Sequence, residues 1–444
     1  MKKLLILIIL FACFVGIKAD AVVFPVESSL DVKGLKERGV TFLGETNFLK
    51  VYIDNETWQT SKQEEIYSKI YDLVSEFNTN IYPMITSVYG KTNLVNKKFN
   101  LILTPIRSTH EAYFIKDFNN IYLDVNSFYQ YDQNEVYYFL AHEFMHIVSQ
   151  YEKEDVYMVR EDLFLEEGTA EYTETLLGYL NNSKTNLKTR IRDFINCNNP
   201  SFVVFENTKE DYAAVNLFVN YLVEHYGMDI LVDSFKTNKT GVESINYALE
   251  KNGYTVRFND IYLDWLVASY VNDCSINKKY CYFNDAFKNV TLIPYNFYVP
   301  TNGEVNLSTT KVLKSGDTFF EKIVGGNGDI VLTISNILGN LDKVPYIIKD
   351  IDGNNSLGFL ELGKNNEIKI KDFGDKNIAI ILIFSSFDDL KYTWQISNNV
   401  FENNYTSLEE IDFQISESEN ALIQVLLRYI DLLKLKLELL KGKL

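Results

Sequence analysis

The sequence predicts an α+β fold in which a mixed sheet and a helical subdomain come first, a β-sandwich follows, and a single helix ends the chain. Residues 22–130 mix strand-like and helical patterns, residues 134–272 are almost wholly helical in pattern, and residues 301–397 show short alternating strands between Gly, Asn and Asp turns. A chain of 444 residues has room for two or three domains. The predicted boundaries are 1–21 for a signal peptide, 22–282 for the first domain, 300–398 for the β-sandwich and 405–444 for the terminal helix.

The N-terminal segment has the features of a secretory signal peptide. Lys2 and Lys3 precede an apolar run over residues 4–17, and Ala19 and Ala21 supply the small residues of a cleavage site. With these flanks the run is too short to span a membrane as a helix. We therefore expect cleavage after Ala19 or Ala21 and a mature protein that is secreted or lies in the periplasm or cell envelope.

The same segment contains a partial match to a lipoprotein signal. The run Leu-Phe-Ala-Cys that ends at Cys13 resembles a bacterial lipobox, which would attach a lipid to that cysteine. Phe11 is bulky for the motif, and Cys13 lies inside the apolar run instead of at its end. Secretion is therefore favoured over a lipid anchor at Cys13.

Three cysteines remain after signal cleavage, namely Cys197, Cys274 and Cys281. Secretion permits a disulfide, and a bond between Cys274 and Cys281 would close a short polar loop. An odd count leaves Cys197 unpaired, so three reduced thiols fit the sequence nearly as well. The spacing has no metal-site signature.

The region before residue 130 is predicted to form the mixed sheet and one long helix. The helix, over residues 61–88, has acidic residues in its first turn, and Pro83 is expected to end or kink it. Asn119 and Asn120 lie between two strand-like runs and mark a hairpin turn. The predicted strands cover 47–53, 100–106, 112–115 and 121–125.

The following region is predicted to be helical because apolar residues recur in it at helical spacing. Gly227 and Gly253 occupy positions typical of helix C-caps. The predicted helices cover 134–151, 157–181, 186–196, 209–226, 228–236, 241–252 and 257–272.

The C-terminal part is predicted to be a linker followed by a β-sandwich. Residues 283–300 are rich in Asn, Tyr and Pro and are interpreted as the linker. Short alternating runs then recur between turn residues, as in a sandwich of antiparallel strands. The predicted strands include 311–313, 329–335, 366–370 and 378–384.

The strongest chemical signal is a pair of histidines four residues apart. His142 and His146, in the run His-Glu-Phe-Met-His, are two of only four histidines in the chain. On a helix, positions i and i+4 lie on one face, so both imidazoles can reach one metal ion, and Glu143 lies close enough to act on a water molecule there. Two imidazoles suit Zn²⁺, and a catalytic zinc site takes three protein ligands and leaves a fourth position open.

A second motif downstream contains the candidate third ligand. Residues 164–174 read Phe-Leu-Glu-Glu-Gly-Thr-Ala-Glu-Tyr-Thr-Glu. Together with the histidine pair, this run resembles the gluzincin metallopeptidases of peptidase-MA type, whose pattern Trp-Leu-Asn-Glu-Gly-x-Ala-x-Tyr-x-Glu places the zinc-binding Glu before Gly. The alignment puts Glu167 in that role, with Phe164 in place of Trp. Glu166 stands in place of Asn and is the competing candidate for the ligand.

The resemblance implies a zincin-like catalytic domain that contains one Zn²⁺ ion. The implied ligands are His142, His146 and Glu167, and Glu143 would be the general base that takes a proton from water and passes it to the leaving amine. Glu171, one turn beyond Glu167, would accept the second N–H of a ligand histidine.

Two further features of the family would complete the site. Tyr212 lies where a family helix carries a tyrosine that donates a hydrogen bond to the tetrahedral oxyanion, although the Lys-Gly that commonly follows it in aminopeptidases is missing. The hairpin before the histidine helix would provide an edge strand that pairs with an extended substrate.

Two related classes of peptidase are disfavoured by the sequence. A metzincin would have Gly and a third His after the histidine pair, but Ser149 and Glu152 stand at those positions. No Gly-x-Met-Glu-Asn motif, with which the aminopeptidases bind a free N-terminus, precedes the histidines. An endopeptidase is therefore the favoured reading.

The charge of the chain narrows the choice of partner. A formal net charge of −17 and a pI near 4.8 argue against nucleic acid, because phosphate binding requires basic patches. Solubility alone explains the acidity. The expected partner at the site is a peptide or protein substrate.

The tail over residues 407–444 is predicted to contain one amphipathic helix with a broad leucine face and an excess of basic residues near its end. Such a helix could lie on a membrane surface or pair with a partner helix. Packing against its own β-domain fits the sequence equally well.

A protein of a different class is the alternative. It would be a secreted binding or envelope-assembly protein whose zinc site is structural or vestigial. Glu143 argues against this alternative, because a structural site has no use for a general base beside the metal.

Overall fold

The computed structural model describes residues 22–398, apart from short gaps at 91–92, 96, 108–109, 182–185, 198, 303–304, 340–342 and 363–365. The predicted signal peptide over 1–21, the lipobox at Cys13 and the predicted tail helix over 405–444 lie outside the described residues. The described part combines helices with two groups of β-strands, so the predicted α+β class is confirmed.

Six strands form a mixed sheet in the N-terminal part. They are β1 (Val22–Pro25), β2 (Glu37–Glu45), β3 (Leu49–Asp54), β4 (Phe99–Thr104), β5 (Ala112–Ile115) and β6 (Asn120–Asp124). Their order is β1-β2-β3-β4-β6-β5; β3, β4 and β6 are parallel, and the other pairings are antiparallel. The predicted hairpin of β5 and β6 is confirmed, with Asn119 at φ 54° in its turn. β5 is therefore an edge strand.

Three helices connect β3 to β4: α1 (Asn55–Thr60), α2 (Gln63–Glu76) and α3 (Tyr82–Tyr89). A π-helical turn at Phe77–Ile81 joins α2 to α3. Pro83 is the second residue of α3, which follows directly on the π-helical turn, where the regular α-helical hydrogen-bond pattern is already interrupted. The interruption predicted within residues 61–88 thus lies at the π-helical turn directly before this proline.

The helical part of the described chain contains α4 (Ser127–Gln130), α5 (Gln133–Ser149), α6 (Asp155–Tyr157), α7 (Leu163–Leu176), α8 (Asn186–Ile195), α9 (Lys209–Tyr226), α10 (Met228–Phe235), α11 (Gly241–Lys251) and α12 (Phe258–Val271). The helix predicted over 157–181 was too long. Met158, at φ 59°, ends α6 in the left-handed conformation, and α7 begins only at Leu163.

The C-terminal strands are β7 (Tyr295–Val299), β8 (Asn306–Leu313), β9 (Thr318–Gly325), β10 (Gly328–Leu338), β11 (Lys343–Asp350), β12 (Asn355–Glu361), β13 (Glu367–Phe373), β14 (Asn377–Ser385) and β15 (Leu390–Asn398). One ladder has the order β12-β11-β14-β9-β7, the other β13-β10-β15-β8, and a single bridge from Phe373 to Asn377 connects them. Both ladders contribute to one hydrophobic core, which is consistent with the predicted β-sandwich.

The interpretation of residues 283–300 as a linker is wrong in part. Tyr295–Val299 forms β7, which pairs in parallel with β9. The strand was missed because its burial does not alternate: Tyr295, Asn296 and Tyr298 are all exposed on this edge strand.

The C-terminal strands pack directly against the helices. Phe387 contacts Phe258 and Tyr262 of α12 at ring-centroid distances of 5.7 and 5.4 Å, and the hydroxyl of Tyr262 lies 3.1 Å from Oγ1 of Thr318. Residues of β9, β11 and β14 therefore belong to the same core cluster as the helices.

A disulfide joins Cys274 to Cys281, which was one of the two states the sequence left open. Cys197 is a buried free thiol and donates a hydrogen bond to the carbonyl of Asn199 at 3.0 Å. A disulfide is compatible with an oxidising compartment such as the periplasm or the exterior of the cell. Within the described ranges, every helix is too short or too polar to cross a membrane.

Candidate metal centre

The two histidines of the predicted site lie on α5, whose N-terminus is fixed by a capping box. The carboxylate of Asp132 accepts the N–H of Glu135 at 3.1 Å, and the carboxylate of Glu135 accepts the N–H of Asp132 at 3.2 Å. His142 and His146 follow in the C-terminal half of the helix, with ring centroids 4.9 Å apart. The spacing of four residues thus places both rings on one face, as predicted.

The carboxylates lie on α7, which packs against both α5 and α9. Gly168 permits the close approach to α9, because a Cβ on it would lie 2.6 Å from Cγ2 of Val215 and 2.8 Å from Cγ2 of Val219. The glycine of the second motif therefore sets the position of its neighbour Glu167 relative to the histidines.

His142, His146 and Glu167 form a group that could hold a metal ion. Their potential ligand atoms all lie within 4.8 Å of one another. Oε2 of Glu167 is 3.3 Å from Nε2 of His142 and 3.6 Å from Nε2 of His146. Two imidazole nitrogens and one carboxylate oxygen thus converge on one point.

The other ring nitrogen of His142 is supported by Tyr138 and Glu171. The hydroxyl of Tyr138 lies 3.2 Å from Nδ1 of His142 and donates a hydrogen bond to Oε1 of Glu171 at 2.8 Å. Nδ1 itself is 3.9 Å from that oxygen. Glu171 was expected to accept the histidine N–H directly; instead, the hydroxyl of Tyr138 connects the two. This arrangement favours a proton on Nδ1 and leaves the lone pair of Nε2 directed at Glu167.

Glu171 is a buried carboxylate whose oxygens are fully hydrogen-bonded. Burial acts to raise its pKa, but the guanidinium of Arg190 lowers it to about 2, so the group is an anion. The donors besides the Tyr138 hydroxyl are Nε and Nη2 of Arg190 at 2.9 and 2.7 Å, Nδ2 of Asn186 at 3.0 Å and Nδ2 of Asn216 at 3.0 Å.

Glu166 lies behind His146, on the side away from Glu167. Its Oε1 is 3.6 Å from Nδ1 of His146, and its Oε2 accepts a hydrogen bond from Nε of Arg160 at 3.2 Å. The geometry therefore favours Glu167 over Glu166 as the ligand. Each histidine has a carboxylate behind it, and each of these carboxylates pairs with an arginine.

Glu143 is buried next to the two histidines. Burial raises its pKa, and the charge of Glu167 adds to this effect, while His142 and His146 act against it. A buried carboxylate with a raised pKa is a stronger base than an exposed one. This environment suits the proton-transfer role expected from the sequence.

Tyr212, on α9, is held among aromatic and charged groups. Its hydroxyl donates a hydrogen bond to Oδ1 of Asn207 at 2.8 Å, and its ring lies 4.8 Å from the guanidinium carbon of Arg190. Burial raises the pKa of Tyr212, and the carboxylates of Glu167 and Glu171 raise it further. The phenol therefore keeps its proton, and its charge environment includes the metal-site carboxylates.

The electrostatics of the cluster fit a cation. Burial acts to lower the pKa of His146, yet the carboxylates of Glu167, Glu166 and Glu143 raise it to about 9. Oε2 of Glu167 is buried without a hydrogen-bond donor. A positive charge near a buried carboxylate oxygen in this state would stabilise it. A divalent metal ion held by the three ligand atoms would provide that charge, and the N₂O donor set is one that zinc accepts.

Sequence reasoning missed several residues of this site. Tyr138 could have been found, because it lies four residues before His142 on the same helix face. Arg190 and Asn216 could not, because they lie on α8 and α9 and reach Glu171 only through the tertiary fold. Phe114 of β5, whose ring stacks on His146 at 5.3 Å, was likewise not singled out.

Comparisons with known proteins are uninformative about function. No protein-family model and no curated protein matches the chain. Among solved structures, it is similar to the periplasmic g-type lysozyme inhibitor PliG of Aeromonas hydrophila, with 10% identity over 24% of this chain and 98% of that one and a TM-score of 0.18. The Yersinia pseudotuberculosis-derived mitogen has 13% identity over 24% and 96% of the chains, with a TM-score of 0.17.

A third similar structure is the pre-peptidase C-terminal domain of collagenase from Bacillus anthracis. It has 12% identity over 23% of this chain and 96% of that one, with a TM-score of 0.18. Similarities at these TM-scores carry no argument about function, which must rest on the geometry of the site.

Proposed function

We propose that the protein is a zinc-dependent endopeptidase with a zincin-like catalytic domain. The observation that carries the proposal is the convergence of Nε2 of His142, Nε2 of His146 and Oε2 of Glu167 beside the buried carboxylate of Glu143. A zinc ion in this position would polarise the carbonyl of a peptide bond and make a water molecule more acidic. A purely structural site would not require the buried base.

The residues around the metal centre would then have the following roles. Glu143 takes a proton from the attacking water and delivers it to the leaving nitrogen, for which its raised pKa is suited. Tyr212 keeps its proton and donates a hydrogen bond to the oxyanion that forms as the carbonyl is attacked. Glu171 orients the imidazole of His142 through the hydroxyl of Tyr138. Glu166 approaches the imidazole of His146 directly.

The edge strand β5 supports a peptide as the substrate. The carbonyl of Glu111 accepts the N–H of Asp124 at 2.8 Å, so Glu111 directs its backbone groups toward β6. In an antiparallel ladder every second residue does so, and the residues between them direct their backbone groups away from the partner strand. The backbone groups of Ala112 and Phe114 consequently point to the open edge. The ring of Phe114 stacks on His146, so a peptide added at this edge would run past the metal ligands.

The proposed compartment is the cell exterior, periplasm or envelope. The disulfide between Cys274 and Cys281 supports an oxidising compartment. The signal-like segment over residues 1–21 supports export.

The test combines metal analysis with peptide digestion. The purified protein should contain about one zinc ion and cleave members of a peptide library internally. Glu143→Gln should retain zinc and lose turnover, because the amide cannot act as a base. Glu65→Gln, an exposed carboxylate on α2, is the matched control and should retain both.

Two results would contradict the proposal. Full activity in Glu143→Gln would remove its assigned role. A wild-type protein that binds zinc but cleaves no peptide would instead favour the alternative, a secreted binding or assembly protein with a structural site.

A further inference from the structure

We propose that Arg190 is a positioning residue that couples the support of His142 to Tyr212. It touches neither the ligand atoms of the candidate metal centre nor, in the proposed mechanism, the reacting atoms. It acts through Glu171 and Tyr138 on one side and through the ring of Tyr212 on the other. The link to His142 requires only that the centre binds metal, whereas the link to Tyr212 rests on the proposed peptidase function.

The first half of the argument is the contact between Arg190 and Glu171. Nε and Nη2 of the guanidinium bind both oxygens of the carboxylate, at 2.9 and 2.7 Å. A two-point contact of this kind fixes the plane of a carboxylate as well as its position. Because Oε1 of Glu171 also accepts the Tyr138 hydroxyl, the orientation of Glu171 determines where that hydroxyl lies.

Tyr138 transmits this orientation to the metal ligand. Its oxygen is 3.2 Å from Nδ1 of His142, whereas the nearest oxygen of Glu171 is 3.9 Å from that nitrogen. The hydroxyl is therefore the contact that holds the imidazole with Nε2 directed at Glu167. Loss of Arg190 would leave Glu171 buried without its counter-charge, so the carboxylate would no longer be held in the orientation that positions the Tyr138 hydroxyl.

The second half of the argument is the contact between Arg190 and Tyr212. The guanidinium carbon lies 4.8 Å from the centre of the phenol ring, within the range of a cation–π interaction. Tyr212 is also approached edge-on by Phe205, and its hydroxyl donates to Asn207. The same guanidinium thus contacts Glu171 on α7 and Tyr212 on α9.

The arginine behind His146 is more exposed to solvent than the arginine behind His142. Arg160 binds Glu166 through one hydrogen bond of 3.2 Å, and its side chain is 63% exposed. The side chain of Arg190 is 17% exposed. Solvent weakens the exposed pair. Of the two arginines behind the histidines, Arg190 is therefore the one expected to control ligand orientation.

The experiment measures zinc affinity by chelator competition in the full chain. Arg190→Met should weaken zinc binding about 10–100-fold, the range found when outer partners of metal ligands are removed. Arg192→Met is the matched control, because Arg192 lies on the same helix, its side chain is 66% exposed, and its guanidinium pairs with Asp193 and not with Glu171. The control should bind zinc as the wild type does.

A double-mutant cycle separates positioning from general destabilisation. Tyr138→Phe removes the hydroxyl through which Arg190 reaches His142, so adding Arg190→Met to it should cost little further zinc affinity. A folded Arg190→Met variant with zinc affinity within about twofold of wild type would overturn the inference, as would fully multiplicative losses in the double variant.

Arg190→Lys covers the case in which the methionine variant does not fold. Lysine keeps the charge but lacks the two-point contact, so zinc affinity should fall several-fold. Zinc affinity equal to that of the wild type would count against positioning by the two-point contact.

At saturating zinc, Arg190→Met should also lower kcat with little change in KM. An unchanged kcat in an active enzyme would overturn the link to Tyr212. Absence of hydrolysis in the wild type would refute the peptidase proposal and leave the zinc measurement decisive for the link to His142.

Discussion

The α-carbon of Gly168 faces the side chain of Val215 so closely that a Cβ on the glycine would lie 2.6 Å from Cγ2 of the valine. The contact joins the helix that carries Glu167 to the helix that carries Tyr212. Glu167 directly precedes the glycine, so the spacing of these two helices fixes how far its carboxylate reaches toward the histidines.

Gly168→Ala should therefore damage both stability and the metal centre. The added methyl group must push α7 and α9 apart, which typically costs about 1–3 kcal/mol in a packed core. Chemical denaturation should show the loss, and zinc affinity should fall with it because Glu167 moves. Gly168→Ala combined with Val215→Ala should recover part of both, since the second change removes the nearer of the two clashing Cγ2 atoms and leaves that of Val219. A stable single variant with normal zinc affinity would contradict this reading of the contact.

A second prediction concerns Glu174, which is 2% exposed at the end of α7. Burial raises its pKa, and the nearby charge of Glu171 adds to the effect, to a value of about 8 against 4.5 in the unfolded chain. A raised carboxyl pKa contributes stability that is complete below the unfolded value and is lost as the pH rises through the folded value. The free energy of unfolding should thus fall between about pH 4.5 and pH 8, by a few kcal/mol from this group.

Glu174→Gln tests this pH dependence. Glutamine mimics the protonated acid and does not ionise, so the variant should lose less stability than the wild type between pH 5 and pH 8 and be the more stable protein at pH 8. Urea denaturation across this range is the measurement. Glu64→Gln, at an exposed position of α2, should keep the wild-type profile. Parallel profiles for wild type and Glu174→Gln would show that Glu174 is ionised in the folded protein.

The placement of the two histidines on one face could be predicted because it depends on short-range spacing, whereas Glu167 was selected through the resemblance of the second motif. His142 and His146 are one helical turn apart, and the alignment of the second motif selected Glu167 over its neighbour Glu166. The orientation of Glu166 behind His146 could not be predicted, because it depends on how α7 rotates against α5. Arg190 was beyond reach for a related reason, since its contacts to Glu171 and Tyr212 bring three helices together.

The fold, like the site, has some features that the sequence could predict and others that it could not. The hairpin of β5 and β6 was predictable from two asparagines between strand-like runs. The edge strand β7 was not, because Tyr295 and Tyr298 on it remain exposed and it pairs with β9, which is not the next strand in the sequence. The helix predicted over 157–181 began too early, because Met158 ends α6 in the left-handed conformation without the glycine that commonly marks such an end.

The last prediction concerns the hydroxyl of Tyr212. If it donates to the oxyanion, Tyr212→Phe should lower kcat for peptide hydrolysis about 10²-fold or more, with KM changed much less, because the hydrogen bond is formed mainly in the transition state. Zinc content should remain that of the wild type, since Tyr212 is not among the grouped ligand residues. Tyr226→Phe, at the other end of the same helix, is the matched control and should leave kcat unchanged. A Tyr212→Phe variant with wild-type kcat would leave the bond to Asn207 as the sole task of that hydroxyl, and oxyanion stabilisation would have to come from another group.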